Sequence, residues 1–189
     1  MAQKGSILVI SGPSGSGKSS IVRRLQSDPR VVFSVSATTR QPREGEVDGV
    51  HYHFLKPAQF RKRVEHGDFV EWAEVHGNLY GTLRRPMEDA VRAGKVYLLE
   101  IDVQGALQLK ELGVEASFVF VAPPRMEDLR ARLRERGTDP PEVIERRLRK
   151  AGDEMEERHR YDHVVVNDDI ERAVSEVRRI AGLDGPEER

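Results

Sequence analysis

Short apolar runs alternate along this chain with longer stretches whose apolar positions recur three and four residues apart. Ser6 to Ile10 is a β-branched run that stops at a glycine-rich stretch. The helical spacing of Ile21, Val22 and Leu25 follows and ends near Asp28-Pro29. Val31 to Val35 reads as a second strand, and the polar segment Thr38 to Asp48, with Pro42 and Gly45, reads as loop. The alternation around Tyr52 and Phe54 and the run Phe69 to Val75 predict two short strands flanking a helix from Pro57 to about His66. A helix over Arg85 to Ala93, closed by Gly94, precedes Val96 to Ile101, whose nearly unbroken apolar character predicts a central parallel strand covered on both faces.

The second half continues the alternation. A helix from Val103 to Leu112 ends at Gly113, and Ser117 to Val121 reads as a strand. Beyond Pro123-Pro124 come two Arg-rich helices, Met126 to Arg136 and Pro141 to about Arg160, separated by Gly137-Thr138-Asp139-Pro140. His163 to Val166 is the last strand and Ile170 to Ala181 the last helix, with Asp168 and Glu171 fitting a capping box. The polar tail from Leu183 is expected to fray. Strands alternating with helices imply a three-layer α/β fold with a mainly parallel sheet. The stretch from about 35 to 84 breaks that rhythm and reads as an inserted, partly antiparallel subdomain. A single domain over 1–189 is expected, its core formed by about 1–34, 85–124 and 160–182, with the Arg-rich helices over about 125–159 as a separate piece.

Composition narrows the class. Hydrophobic residues make up 38% and charged residues 33% of the 189, enough for one core beneath a charged surface. The net charge of −1 offers no global positive field for nucleic acid or an anionic membrane, so any basic function rests on locally placed Arg and Lys. The absence of cysteine excludes disulfides and thiolate metal sites. No apolar run spans a bilayer and no signal peptide is evident, so a cytoplasmic protein is expected.

Gly12-Pro13-Ser14-Gly15-Ser16-Gly17-Lys18-Ser19 fits G-x-x-x-x-G-K-[ST] between a predicted strand and a predicted helix, the context this phosphate-binding loop requires. Its glycines let backbone N–H groups turn inward around phosphates, and the helix N-terminus adds its positive dipole end. Lys18 is placed to reach the β- and γ-phosphates, and the Ser19 hydroxyl to ligate Mg²⁺. Arg40 and Arg43 share one loop and offer forked donors to a second phosphate, with Tyr52 and Tyr80 as hydroxyl donors. Glu100 and Asp102, two apart at the end of the apolar strand, point to one side of the sheet. Asp102 equally suits a helix N-cap. Most of Arg130, Arg132, Arg134 and Arg136 on one helix and Arg146, Arg147 and Arg149 on the next read as a solvated face paired with Glu127, Glu135, Glu142 and Glu145. His51 and His53 share a strand face without a third ligand, which makes a transition-metal site unexpected.

The segments Ser36-Ala37-Thr38-Thr39-Arg40-Gln41-Pro42-Arg43-Glu44-Gly45-Glu46, Phe69-Val70-Glu71-Trp72-Ala73, Gly77-Asn78-Leu79-Tyr80-Gly81-Thr82 and Leu99-Glu100-Ile101-Asp102-Val103-Gln104-Gly105, in this order after the P-loop, resemble the guanylate kinase family from Ser11 to Asp169. The resemblance implies a P-loop kinase that moves the γ-phosphoryl group of ATP to GMP, with Mg²⁺, a GMP-binding subdomain at 35–84 and a helical lid at 125–159. It assigns the GMP phosphate to Arg40, Arg43, Tyr52 and Tyr80, and the guanine to Glu71, with hydroxyls from Ser36 and Thr82 beside Gly81. Thr82 stands where many members carry serine. Glu100 and Asp102 are implied near GMP or the waters of the metal, with their roles undivided. Arg136 and Arg147 are implied on the triphosphate, Asn167 near the adenine, and Lys18, Arg43, Arg136 and Arg147 as the groups that offset charge during transfer. No nucleic acid, membrane or obligate protein partner is implied. The alternatives are a P-loop kinase for a phosphorylated sugar, in which the Ser36/Glu71/Thr82 set would be idle, and a non-catalytic guanylate-kinase-like interaction module, which the intact Lys18 and Ser19 argue against.

Overall fold

The structure, a computed structural model of the chain, describes residues 5–75, 77–135 and 140–185. In chain order its elements are β1 (Ser6–Ser11), α1 (Lys18–Leu25), β2 (Val31–Phe33), β3 (Ala37–Thr38), β4 (His53–Phe54), α2 (Pro57–Glu65), β5 (Phe69–Val75) and β6 (Asn78–Leu83), then α3 (Arg84–Arg92), β7 (Val96–Glu100), α4 (Val103–Glu111), β8 (Ser117–Ala122), α5 (Met126–Glu135), α6 (Pro141–Glu156), β9 (His163–Val166) and α7 (Ile170–Ile180).

Five strands form a parallel sheet in the order β2-β7-β1-β8-β9. The two-residue period of a strand divides its apolar side chains between two cores. Leu8, Ile10, Leu98, Val119 and Val121 face α1 and α7, while Val9, Tyr97, Leu99, Phe118 and Phe120 face α3 and α4. That is why β1, β7 and β8 read as unbroken apolar runs. The three-layer reading holds.

A second, four-stranded sheet has the order β4-β3-β6-β5, with β3 and β4 parallel and the pairs β3/β6 and β5/β6 antiparallel. Phe60 of α2 packs on it through Phe69, their rings stacked at 4.4 Å, in a small core with Ala37 and Leu83. β3 and β6 were absent from the sequence expectation. β3 has only two residues, and Gly81 breaks the strand pattern of β6. Gly81 is nonetheless demanded by packing, since a Cβ there would lie 2.8 Å from Cδ1 of Phe69. The Arg-rich helices α5 and α6 carry their own apolar seam of Leu129, Leu133, Ile144, Leu148 and Ala151.

Four other expectations change. β2 stops at Phe33, and α6 ends at Glu156 and continues as a 3-10 turn over Glu157–Arg160. α7 is capped by Asp169, whose Oδ1 accepts from Arg172 N–H at 2.9 Å, while Asp168 pairs with the Arg172 guanidinium. The expected capping box at Asp168 and Glu171 is therefore not made. The tail does not fray at Leu183. That side chain is buried, its carbonyl accepts from Arg30 (2.7 Å) and Arg178 (2.9 Å), and Arg30 also reaches Gly185 O (3.0 Å). Buried Asp28 accepts from both arginines, whose positive charge holds its carboxyl well below the usual aspartate range. A buried carboxylate with two guanidinium partners can fasten a polar tail that composition alone would leave loose.

Candidate active site

The turn from β1 into α1 is the phosphate-binding loop, at the C-terminal edge of the parallel sheet where ligands of open α/β folds gather. Gly12 has φ +137°, and a Cβ there would fall 2.3 Å from Val121 O, so only glycine lets the loop leave β1 beside β8. Gly17 has φ +96°, and a Cβ on it would lie 2.1 Å from Nδ2 of Asn167. Through that gap the buried Asn167 amide donates to Ser16 O at 2.8 Å. Asn167 thus braces the loop from behind. Lys18 Nζ donates to Gly12 O (2.7 Å) and Pro13 O (2.9 Å), which holds the ammonium over the loop.

The register pairs Ile10 with Glu100, bringing the end of β7 beside the loop. There Ser19 Oγ donates to Glu100 Oε1 at 2.6 Å. Asp102 turns to α4 instead and caps it, accepting from Gly105 N–H at 2.8 Å. A hydroxyl and a carboxylate at the mouth of a phosphate cradle are hard oxygen donors of the kind Mg²⁺ takes. Among the described residues no group of three or more His, Cys, Asp or Glu could hold a metal, His51 and His53 included. A cation here would therefore draw its remaining ligands from phosphates and water, the usual habit of Mg²⁺.

The opposite side of the site is built on the second sheet. Thr39 exchanges two bonds with Leu79, tying the Arg40–Asp48 loop to β6. Arg40 makes a bidentate pair with Glu46 at 2.8 Å to each oxygen and lies over the rings of Tyr52 (5.3 Å) and Phe54 (5.7 Å). Glu46 also accepts from Arg43 N–H at 2.7 Å, and these donors hold its carboxyl down to about 2. Arg40 is thus engaged with Glu46 beside the cavity, whereas Arg43, Tyr52 and Tyr80 line it.

Glu71 follows a register shift in β5 between Phe69 and Glu71, the kind of irregularity that re-aims a side chain. It is 8% exposed and accepts from the buried Thr82 hydroxyl at 2.6 Å. Burial pushes its carboxyl up, opposed by the Thr82 hydrogen bond and reinforced by the charge of Asp102. Gly105, in the first turn of α4, leaves this slot open. A Cβ there would stand 3.4 Å from Asp102 Oδ1 and 3.8 Å from Glu71 Oε2.

One cavity of about 640 Å³ joins the two sides. It is lined by Gly12, Ser14, Gly15 and Gly17 to Ser20 from the loop, by Ser36, Arg43, Tyr52, Glu71, Tyr80 and Gly81 from the second sheet and its connections, and by Glu100, Asp102 and Arg147. Pro13, Ser16, Arg40, Thr82 and Asn167 support this wall from behind. Arg136 lies outside the described residues.

The cavity also holds groups that the sequence reading passed over. His51 lines it, as do Lys150 and Glu154 of α6, with Lys150 Nζ 3.6 Å from Glu154 Oε1. Burial pushes the Glu154 carboxyl up, against the charges of Lys150 and Lys18. The signal was present. Arg147, Lys150 and Glu154 recur at helical spacing beside the stripe of Ile144, Leu148 and Ala151. Arg132, taken as a solvated arginine, instead donates to Asn167 O at 3.0 Å and reaches Ser16 O at 3.4 Å. Arg130 does pair on the surface with Glu145.

Comparison with known proteins agrees with this geometry. The family model for guanylate kinase matches residues 4–182. The guanylate kinase of Mycolicibacterium paratuberculosis is 51% identical over 176 residues, covering 92% of this chain and 79% of that protein. The guanylate kinase of Synechococcus sp. is 47% identical over 187 residues, covering 97% and 98%. The crystal structure of guanylate kinase from Anaplasma phagocytophilum superposes with a TM-score of 0.78 at 36% identity, covering 96% of this chain and 87% of that one. With a family match running almost end to end and a phosphate cradle opening onto a buried carboxylate, the chain belongs to the guanylate kinase family.

Proposed function

We propose that this chain transfers the γ-phosphoryl group of ATP to GMP, and also to dGMP, giving ADP and the nucleoside diphosphate in the recycling of guanine nucleotides in the cytoplasm. The observation that carries this reading is one cavity lined both by the P-loop and by the buried Glu71. Guanine offers two donors to a carboxylate, N1–H and the 2-amino group. Adenine presents an acceptor at N1 and no 2-amino group, so it would leave the buried Glu71 unpaired. Discrimination on such a hydrogen bond reaches the order of 10⁴. Ser36 supplies a hydroxyl from the cavity wall, and Thr82, buried behind it, orients Glu71 through its own hydroxyl.

Arg43, Tyr52 and Tyr80 hold the acceptor phosphate, and Glu46 sets Arg40 beside them. That phosphate is mostly a dianion at neutral pH, its second pKa being about 6, so its oxygen attacks without a strong base. The residues therefore position and neutralise. Lys18 spans the β- and γ-phosphates while the backbone N–H groups of Gly15 to Ser19 cradle them. Ser19, with Glu100 beside it, would hold Mg²⁺. When bound, the cation would supply charge neutralisation for the transferred phosphoryl group. Arg147 reaches the triphosphate from α6, and Arg136 is assigned there too. Asn167 and Arg132 keep the loop and the adenine end in place, and Asp102 fixes α4 against the base slot.

We assign the core to about 1–34, 85–124 and 160–182, the GMP-binding part to 35–84 and the lid to 125–159. The separate apolar clusters of the second sheet and of α5/α6 support this division. Lid closure would exclude water and suppress ATP hydrolysis. No helix among the described residues is long and apolar enough to cross a membrane.

A coupled ADP-release assay with MgATP and each of GMP, dGMP, AMP, CMP and UMP tests the reading. Turnover confined to GMP and dGMP is expected. ATP binding without turnover on any of them would overturn it.

A further inference from the structure

The loop that carries Tyr52 brings one more residue to the cavity. Between Val47 and Phe54 the backbone closes on itself. Val50 N–H and His51 N–H both donate to Val47 O (3.2 and 3.0 Å), Gly49 N–H donates to Tyr52 O (2.7 Å), and Phe54 N–H donates to Asp48 Oδ1 (2.8 Å). The His51 ring is tied to the same anchor, because Val47 N–H donates to its Nδ1 at 2.9 Å. A backbone N–H can only donate, so Nδ1 is the accepting nitrogen and the ring proton sits on Nε2. One bond thus fixes both the orientation of the ring and its tautomer. His51 lines the same cavity as Arg43, Tyr52 and Tyr80, and the residue is solvent-exposed.

We propose that His51 is a further binding residue for the acceptor nucleotide, its Nε2–H donating to a phosphate oxygen of GMP. The inference rests on the assignment of this cavity to GMP. Two placements favour the phosphate over the base. His51 adjoins Tyr52 on the Arg40–Phe54 segment, whereas Glu71, the residue proposed for the base, is buried on β5 and backed by Thr82 of β6. A solvent-exposed N–H also suits a hydrated anion, whose oxygens accept several donors at once. The ring arrives there already oriented, which limits the entropy lost when it binds.

The test compares His51→Ala with His51→Asn. Asparagine can keep an oxygen near the Nδ1 position for Val47 N–H and has nothing in place of Nε2, whereas alanine loses both. In both variants KM for GMP should rise about tenfold, the loss expected of one hydrogen bond to a charged group. KM for ATP, thermal stability and the inhibition constant of guanosine, which lacks the phosphate, should stay near wild type. H51N behaving as wild type while H51A fails would reduce His51 to a loop anchor and overturn the proposal. So would an unchanged KM for GMP in both variants, or an equal loss of guanosine affinity. Wild-type turnover of GMP in the same assay separates this inference from the proposed function, since its absence would count against the parent reading itself.

Discussion

Ser19 Oγ donates to Glu100 Oε1 at 2.6 Å, joining the first turn of α1 to the C-terminal end of β7 across the mouth of the phosphate cradle. The contact exists because the parallel register sets Glu100 opposite Ile10, so the last residue of one strand stands beside the loop that leaves the other. Replacing Glu100 with Gln keeps the shape and removes the charge. We expect kcat to fall by 10- to 100-fold, roughly the cost of losing a residue that tunes a metal site. Half-saturating Mg²⁺ should rise while KM for GMP changes little. A Mg²⁺ titration of initial rates checks this, and an unchanged Mg²⁺ dependence would place Glu100 elsewhere in the reaction.

Glu71 is buried and lifted in pKa, so its ionised form costs stability, which the two donors of guanine would recover under the proposed function. Glu71→Gln should lower kcat/KM for GMP by about 10³-fold and narrow the gap to AMP. In the wild type, GMP affinity should weaken on acidification at a higher pH than an ordinary glutamate would dictate, because the carboxyl must lose its proton to accept from N1–H. For stability the sign reverses. A raised folded pKa means the charged side chain destabilises the fold above that pKa and does nothing below the unfolded value. E71Q should therefore melt higher than wild type near neutral pH, the advantage fading as pH falls toward the ordinary glutamate range. Melting curves at a series of pH values read this directly.

Glu46 braces the acceptor loop without lining the cavity. Glu46→Gln removes the charge that fixes Arg40 and loosens the bond to Arg43 N–H. KM for GMP should rise about tenfold, as for one charge-assisted hydrogen bond, with KM for ATP unchanged. Steady-state kinetics with each substrate varied would show it. A matching rise in KM for ATP would mean that the loop acts on the whole cavity.

On α6 and α5, Arg147 and Arg132 reach different places and should fail differently. Arg147 lines the cavity, so Arg147→Ala should lower kcat by about 10²-fold, much as other charge-stabilising groups do. Arg132 holds the backbone at Asn167 and Ser16, so Arg132→Ala should raise KM for ATP more than it lowers kcat. Single-turnover rates against equilibrium ATP binding separate the two, and identical profiles would refute the distinction.

Asp28 fastens the C-terminal segment from the side of the sheet away from α3 and α4. Asp28→Asn leaves Arg30 and Arg178 facing a neutral amide and should destabilise the fold by about 2 kcal/mol, less than a fully buried pair costs because both arginines keep some solvent. Tm should drop by about 4–8 °C with turnover unchanged. Because the folded pKa is depressed, the difference from wild type persists at all pH above the ordinary aspartate value of 3.8 and closes only as pH falls below it. Thermal melts of both proteins between pH 3 and pH 7 are the measurement.

Much of this protein was legible in the order of its residues because the information is local. The P-loop needs backbone conformations that only glycine adopts, so Gly12 and Gly17 announce it. A parallel strand buried on both faces needs the unbroken run Val96 to Leu99. The helices α5 and α6 show their seam through Leu129, Leu133, Ile144 and Leu148 at helical spacing. Tertiary structure alone decided what depends on contacts between distant residues. Only the packed sheet brings Glu100 to Ser19, whereas the cap that Asp102 makes with Gly105 is local and readable in the sequence. Likewise Arg132 looks no different from Arg130 along the chain until the fold brings Ser16 and Asn167 within its reach. Residues 28, 30, 178 and 183 are ordinary in isolation and form a clamp only because α7 packs against α1. A pattern of apolar positions specifies which face is buried, whereas a polar side chain finds its role from whatever the completed core sets opposite it.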